Sequence, residues 1–367
     1  MNFMPLLLIL LFSACTTTTT DKTWPHKMQD LAKNVEEAVP YVFNDKKFYA
    51  KENRNLISKK IKTLKKSTEH IPAKEAELML GKNPLVEQSL KRLKSNVDAA
   101  AVAFQNGNLN YSQNLLKGAI SYCYNCHTSN NLGRKSGVKK LSFAEIEDPV
   151  QRAKAYIATR QYKEAKETLK ENLFYQPNRK HSFKKEQALK TYLSISVNLD
   201  GKNNESIAFL NKYKANSKMP AIFNQDINAW INTLKKWSVQ PQQSISKIEN
   251  LINKNKNDMS EASYMDYLLA SRWLHQQILT KQDLQKAKTY LHLGIIYNHF
   301  PDFSLWGLSD LYFEACIDLE PKTAIAQNCY KELEESIYLG FSGSAGTFIP
   351  RQEKLRLKIL KAKAGVQ

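Results

Sequence analysis

The chain has 367 residues, 42% of them hydrophobic and 24% charged, a balance normal for soluble globular protein and enough for two or three domains. Lysine and arginine number 54 against 35 aspartates and glutamates, so the net charge of +19 favours acidic partners: an anionic lipid surface, an acidic protein or nucleic acid. Beyond the first 15 residues no apolar run is long enough to span a bilayer.

The chain opens on Leu6-Leu7-Leu8-Ile9-Leu10-Leu11-Phe12-Ser13-Ala14-Cys15, an apolar run too short for a span and ending in small residues, as a signal peptide does. Ser13-Ala14-Cys15 resembles the lipobox of bacterial lipoproteins, in which the cysteine is acylated and becomes the new amino terminus. The resemblance implies a signal over residues 1–14, lipidation of Cys15, a polar tether over 15–23 and a periplasmic protein anchored to the inner or outer membrane. Phe12 stands where Leu is usual and residues 1–5 lack Lys and Arg, so ordinary signal cleavage is the alternative. Export counts against nucleic acid as a partner and permits lasting disulfides.

Residues 24–130 read as four helices. The first carries Trp24, Met28, Leu31, Val35 and Ala38 at three- and four-residue steps, and Pro40 is expected to stop it at Val39. A second, from Tyr49 to Ile71, sets Ile57, Ile61 and Leu64 among the lysines of the densest basic stretch, Lys46 to Lys66, which reads as a solvated helix face. A third begins after Pro84 and carries Leu85, Leu90, Leu93, Val97, Ala101 and Phe104 to the turn Asn106-Gly107-Asn108. The fourth, about Tyr111 to His127, leads through Leu115, Leu116, Ala119 and Ile120 into Cys123-Tyr124-Asn125-Cys126-His127. Four helices in about 105 residues make one compact bundle.

That run, CYNCH, supplies what a c-type haem attachment needs: two thiols for the porphyrin vinyl groups and an imidazole for the iron. On a helix Cys123, Cys126 and His127 project from one face within a turn. A structural zinc site would want a second cysteine pair, and the remaining internal cysteines, Cys316 and Cys329, are single and distant. A thioredoxin-type pair would open a helix after a strand, whereas this one closes a helix.

A helical bundle with one CxxCH near the end of its last helix resembles the class II c-type cytochromes, the cytochrome c prime and c-556 group. The resemblance covers about 30% of the chain and implies one covalent haem c held by Cys123, Cys126 and His127, with a residue of the first helix facing the far side of the iron. Met28 matches that place and is the candidate distal ligand; a methionine there implies a six-coordinate iron suited to electron transfer, and a non-ligand implies an iron open to small gases. Met79, His70 and His26 are the other candidates, of which His26 points elsewhere on its helix and His70 follows a lysine-rich helix end. The group's basic residue shortly after the haem histidine has no clear counterpart, since Arg134 comes late.

Residues 131–145, rich in Gly, Ser, Asn and basic side chains, are expected to link the bundle to a second helical domain over 146–367. In that domain Ala165 with Leu169, Ser206 with Leu210, and Ala287 with Leu291 repeat a small residue followed four later by Leu. The pattern is similar to the second helix of a tetratricopeptide repeat, which implies an α-solenoid with a concave surface for binding protein. Pro321 breaks the helical pattern between Cys316 and Cys329, so two antiparallel helices would oppose them; a disulfide is expected, with two buried thiols as the alternative. The segment Gly340 to Thr347 reads as a helix-terminating turn rather than a phosphate loop, and a last helix is expected from Arg351 to Ala364.

The expected fold is therefore all-α, a four-helix cytochrome bundle followed by a tetratricopeptide-like solenoid. The expected function is that of an exported monohaem electron-transfer protein whose second domain docks a redox partner, an acidic one by charge. A haem-based gas binder or sensor, and an envelope adaptor with a vestigial haem site, are the alternatives. Apart from the haem motif the sequence holds no nucleophile with a base, no metal-spaced cluster and no phosphate loop, so no enzyme is expected.

Overall fold

A computed structural model describes residues 24–69, 71, 83–129, 141–174, 182–239, 243–255, 261–279, 285–300, 308–344 and 346–367. The fold is all-α; among the described residues the only strands are Ser342–Gly343 and Gly346–Thr347, a two-residue antiparallel pair in the Gly/Ser stretch. The signal, Cys15, the tether, His70, Met79 and residues 131–140 lie outside the described residues. Among those described, no helix is long and apolar enough to cross a membrane.

The first half holds α1 (Trp24–Val42), the short α2 (Asp45–Tyr49), α3 (Arg54–Glu69), α4 (Pro84–Gln105) and α5 (Leu109–Ser129). Pro40 does not end α1, which runs two residues further to Val42. A proline so near the carboxyl end removes one hydrogen bond where the helix is about to stop, so it costs less than in mid-helix. The second helix, expected from Tyr49 to Ile71, is α3 over Arg54–Glu69; the unforeseen α2 precedes it, because Asn44 caps α2 by accepting from the Lys47 amide and the chain then turns through a 3-10 segment, Lys51–Asn53. Asn83 caps α4, with Pro84 in the first turn.

Polar bridges set the helix directions. Asn34 Nδ2 donates to Ser67 Oγ and Lys60 pairs with Glu37, so α1 and α3 run antiparallel. Ser112 Oγ donates to the Ala100 carbonyl at 2.8 Å and Asn96 Nδ2 to the Leu115 carbonyl at 3.5 Å, so α4 and α5 do too. Gln113 Nε2 donates to the Val42 carbonyl at 2.9 Å, placing the start of α5 beside the end of α1. In the basic stretch Lys46, Lys47, Lys60 and Lys65 meet Glu147, Glu145, Glu37 and Asp98, exposed or half-exposed pairs worth little individually.

The second half continues with α6 (Pro149–Ala158), α7 (Tyr162–Phe174), α8 (Phe183–Leu193) with a π-helical extension Ser194–Leu199, α9 (Asn203–Asn216), α10 (Ala221–Val239), α11 (Ile245–Asn255), α12 (Tyr264–Leu279), α13 (Lys286–His299), α14 (Leu308–Leu319), α15 (Ala324–Gly340) and α16 (Arg351–Ala364). Successive helices pack on one another, and the repeated small residues Ala165, Ser206 and Ala287 are buried with Leu169, Leu210 and Leu291. Ser206 Oγ sits 2.9 Å from Ser196 Oγ, a close approach that a larger side chain would prevent.

One corner recurs across both halves. Gly107, Arg160, Gly201 and Lys322 all have positive φ, and each precedes the next helix, α5, α7, α9 or α15, by two residues. In the first three, a fully buried small residue follows five positions later: Ser112, Ala165 and Ser206.

Residues 141–145, within the expected linker, are packed rather than free. Phe143 is fully buried, its ring 5.0 Å from that of Tyr156, and the Leu141 amide donates to Gln161 Oε1 at 3.1 Å. Beyond them the chain returns to its beginning. Helix α14 packs against α4, and Glu314 on α14 is 4% exposed between Arg92 of α4 and Arg356 of α16. Arg356 also meets Asp310 and Glu353, and Gln88 of α4 donates to Asp318 of α14.

Helices α14 and α15 turn over at Lys322, and Cys316 and Cys329 are bonded across them with Cα atoms 6.4 Å apart. Closing a loop of 13 residues' separation should contribute about 3 kcal/mol by constraining the unfolded chain. Cys316→Ser with Cys329→Ser is therefore expected to lower the unfolding free energy by about that amount in urea titration, and reduction of the parent protein to do the same.

Candidate functional site

Helix α5 begins after the Gly107 corner and runs from Leu109 to Ser129, carrying the CYNCH motif in its last two turns. Its earlier turns are fixed by the hydrogen bonds of Ser112 and Gln113 and by buried Leu116, Ala119 and Ile120. Cys123 lies four and seven residues after Ala119 and Leu116 and so continues the stripe that begins at Ser112, which faces α4.

Both thiols are free of disulfides, and both cysteines are half-buried. Burial pushes the Cys123 thiol up to about 12, with Cys126 adding to the effect, and burial pushes Cys126 up to about 11. A redox-active pair has its thiolate favoured by cationic neighbours or a helix amino terminus, whereas burial here favours the protonated thiols. Among the described residues no group of three or more His, Cys, Asp and Glu side chains is placed to hold a metal ion. Two neutral thiols one turn apart, an imidazole beside them and an apolar setting fit a covalently attached porphyrin, which needs one protein nitrogen rather than a cluster of ligands.

His127 is half-buried on the same helix. It lies fourteen residues beyond Gln113, nearly four helical turns, and so falls on the side of α5 that Gln113 turns toward α1. Met28 lies fourteen residues before Val42, the residue whose carbonyl Gln113 holds. Met28 is half-buried and packs against the hydrophobic core, whereas His26 is exposed.

The motif helix also touches the second half, packing against α6, α12 and α14 as well as α1 and α4. The Tyr124 ring meets Tyr162 of α7 edge-on at 6.2 Å, and on α13 burial holds the Tyr297 hydroxyl well above the ordinary tyrosine range, with Tyr312 and then Tyr124 adding to it. Tyr297 stacks on Tyr312 at 5.4 Å, and His275 Nε2 is 2.8 Å from the Tyr297 hydroxyl. Sequence reasoning passed over these aromatic residues, because nothing local to Tyr162 or Tyr297 connects either with Tyr124.

Compared with protein-family models, curated proteins and solved structures, the chain returns no match. The functional reading therefore rests on the residues themselves.

Proposed function

We propose that the chain is an exported, lipid-anchored monohaem c-type cytochrome of the four-helix class that transfers electrons, and that its tetratricopeptide-like half docks the redox partner. The observation that carries the reading is that the two cysteines of CYNCH form no disulfide and lie half-buried one turn apart near the end of α5, with half-buried His127 next in sequence. When bound, haem c supplies a one-electron iron couple.

Cys123 and Cys126 would hold the porphyrin through two thioethers, and the His127 imidazole would bind the iron on one side. Met28 would offer its thioether on the other. Leu116, Ala119 and Ile120 keep water from that end of α5. The paired helices with buried Ala165, Ser206 and Ala287 support the repeat reading, and the net charge of +19 favours an acidic partner.

A pyridine haemochrome assay on protein made with c-type haem maturation tests the reading, and a sample without covalently held haem overturns it. The distal ligand is read separately. Wild-type protein is expected to show a six-coordinate low-spin absorption spectrum, and Met28→Ala to lose it in favour of a high-spin one with a lower reduction potential. A high-spin wild-type spectrum would instead favour gas binding.

A further inference from the structure

Far along the chain from the haem motif, the corner Asp200-Gly201-Lys202 at the start of α9 faces one side of α12, with the end of α10 beside them. Between these elements is a cavity of about 500 Å³ lined by Arg272, Trp273 and Gln276 of α12, Trp237 of α10, and Lys202. Both tryptophans are partly buried against the core, and Trp237 Nε1 donates to Asp266 Oδ1 at 3.3 Å, which fixes the orientation of its ring.

Arg272 distinguishes this cavity. Its guanidinium is partly buried, and among the described residues it has no carboxylate and no hydrogen-bond acceptor. Burial alone lowers its pKa. The other charges lining the cavity, Lys202 and Glu205, pair with each other at 2.8 Å, so Arg272 leaves the cavity with one uncompensated positive charge.

Gly201, at φ +68°, makes room for the guanidinium: a Cβ there would be 2.4 Å from Nη2. The same chain shows how it treats arginines that only hold helices together: Arg92 and Arg356 are both bonded to Glu314. A half-buried cation with no carboxylate among the described residues gives up part of its hydration without an ion pair in return, and such groups are concentrated at binding sites.

We propose that this cavity binds an organic carboxylate, its anionic group on the Arg272 guanidinium and its flat apolar body against Trp237 and Trp273. The volume is that of a small-molecule site. The guanidinium fork matches a carboxylate in two parallel hydrogen bonds, and the indole rings give a face for an aromatic or planar body. Such a ligand can be a free acid or the carboxyl end of a polypeptide with an aromatic last residue, since both present the same group. The proposal is independent of the haem.

Isothermal titration of the full-length protein with indole-3-acetate tests it, with indole-3-acetamide as the neutral control. The acid is expected to bind at least about tenfold more tightly than the amide, the discrimination due to one charge-assisted interaction. Arg272→Gln is expected to weaken the acid by about the same factor while raising the melting temperature, because the variant no longer buries an unpaired cation. A tetrapeptide ending in tryptophan, titrated as free acid and as carboxamide, separates the sources: if it binds more tightly than indole-3-acetate the natural ligand is a polypeptide end, and if more weakly a free acid. Equal affinity for acid and amide, unchanged affinity in Arg272→Gln, or a lower melting temperature for that variant would each overturn the proposal, the last by showing that Arg272 is structural.

Discussion

Cys123→Ala/Cys126→Ala protein, produced with c-type haem maturation, is expected to carry no covalent haem, and the parent to carry one per chain. The effect is total because the two thioethers are the only covalent links the motif can make. The pyridine haemochrome spectrum of acid-acetone-extracted protein reads it directly, since extraction removes haem that is merely bound. The variant should still fold as a helical protein. Each cysteine is half-buried, so truncation to alanine removes a few contacts worth about 1 kcal/mol. Far-ultraviolet circular dichroism that stays helical while the haemochrome signal vanishes would assign the loss to attachment rather than to misfolding. A haemochrome signal surviving in the variant would show that Cys123 and Cys126 are not the attachment site.

Glu314→Leu is expected to destabilise the protein by about 3–5 kcal/mol, the cost of leaving buried cations without their anion. The carboxylate is 4% exposed and is held by Arg92 on one side and Arg356 on the other. Arg356 keeps Asp310 and Glu353 when Glu314 is lost, whereas Arg92 has no other bonded carboxylate among the described residues. Adding Arg92→Met should therefore recover much of the loss, and a double-mutant cycle in urea would measure the coupling. Because Arg92 lies on α4 and Glu314 on α14, the single variant is also expected to raise hydrogen exchange along the face where those helices meet. Additive losses from the two changes would mean that the pair is not what joins the halves.

The local sequence determines much of this fold. Apolar residues at three- and four-residue steps mark α1, α3, α4 and α5, while Asn83 with Pro84 and Asp148 with Pro149 mark helix starts through cap chemistry read within a few residues. CYNCH is legible for the same reason: all the groups it needs fall within one turn of one helix. Pro40 shows the limit of a local rule, since a breaker two residues from a helix end breaks little. The recurring corner was half-legible: Gly107 and Gly201 mark it, but Arg160 and Lys322 adopt the same left-handed backbone with no glycine to announce it.

What the sequence by itself determined is the all-α class, the long helices of the first half, the CYNCH spacing and the separate cysteine pair, because periodicity and spacing act over a few residues. Only the tertiary structure decided which helices meet. Phe143 has a partner thirteen residues away, but Arg92 and Glu314 are 222 residues apart and Gln88 and Asp318 are 230 apart. That Arg272 has no carboxylate partner among the described residues is likewise invisible in the sequence, since no short stretch of it says which acidic side chain will lie beside which cation. Pairing at such separations depends on packing the whole chain together, and no short stretch of sequence carries that information.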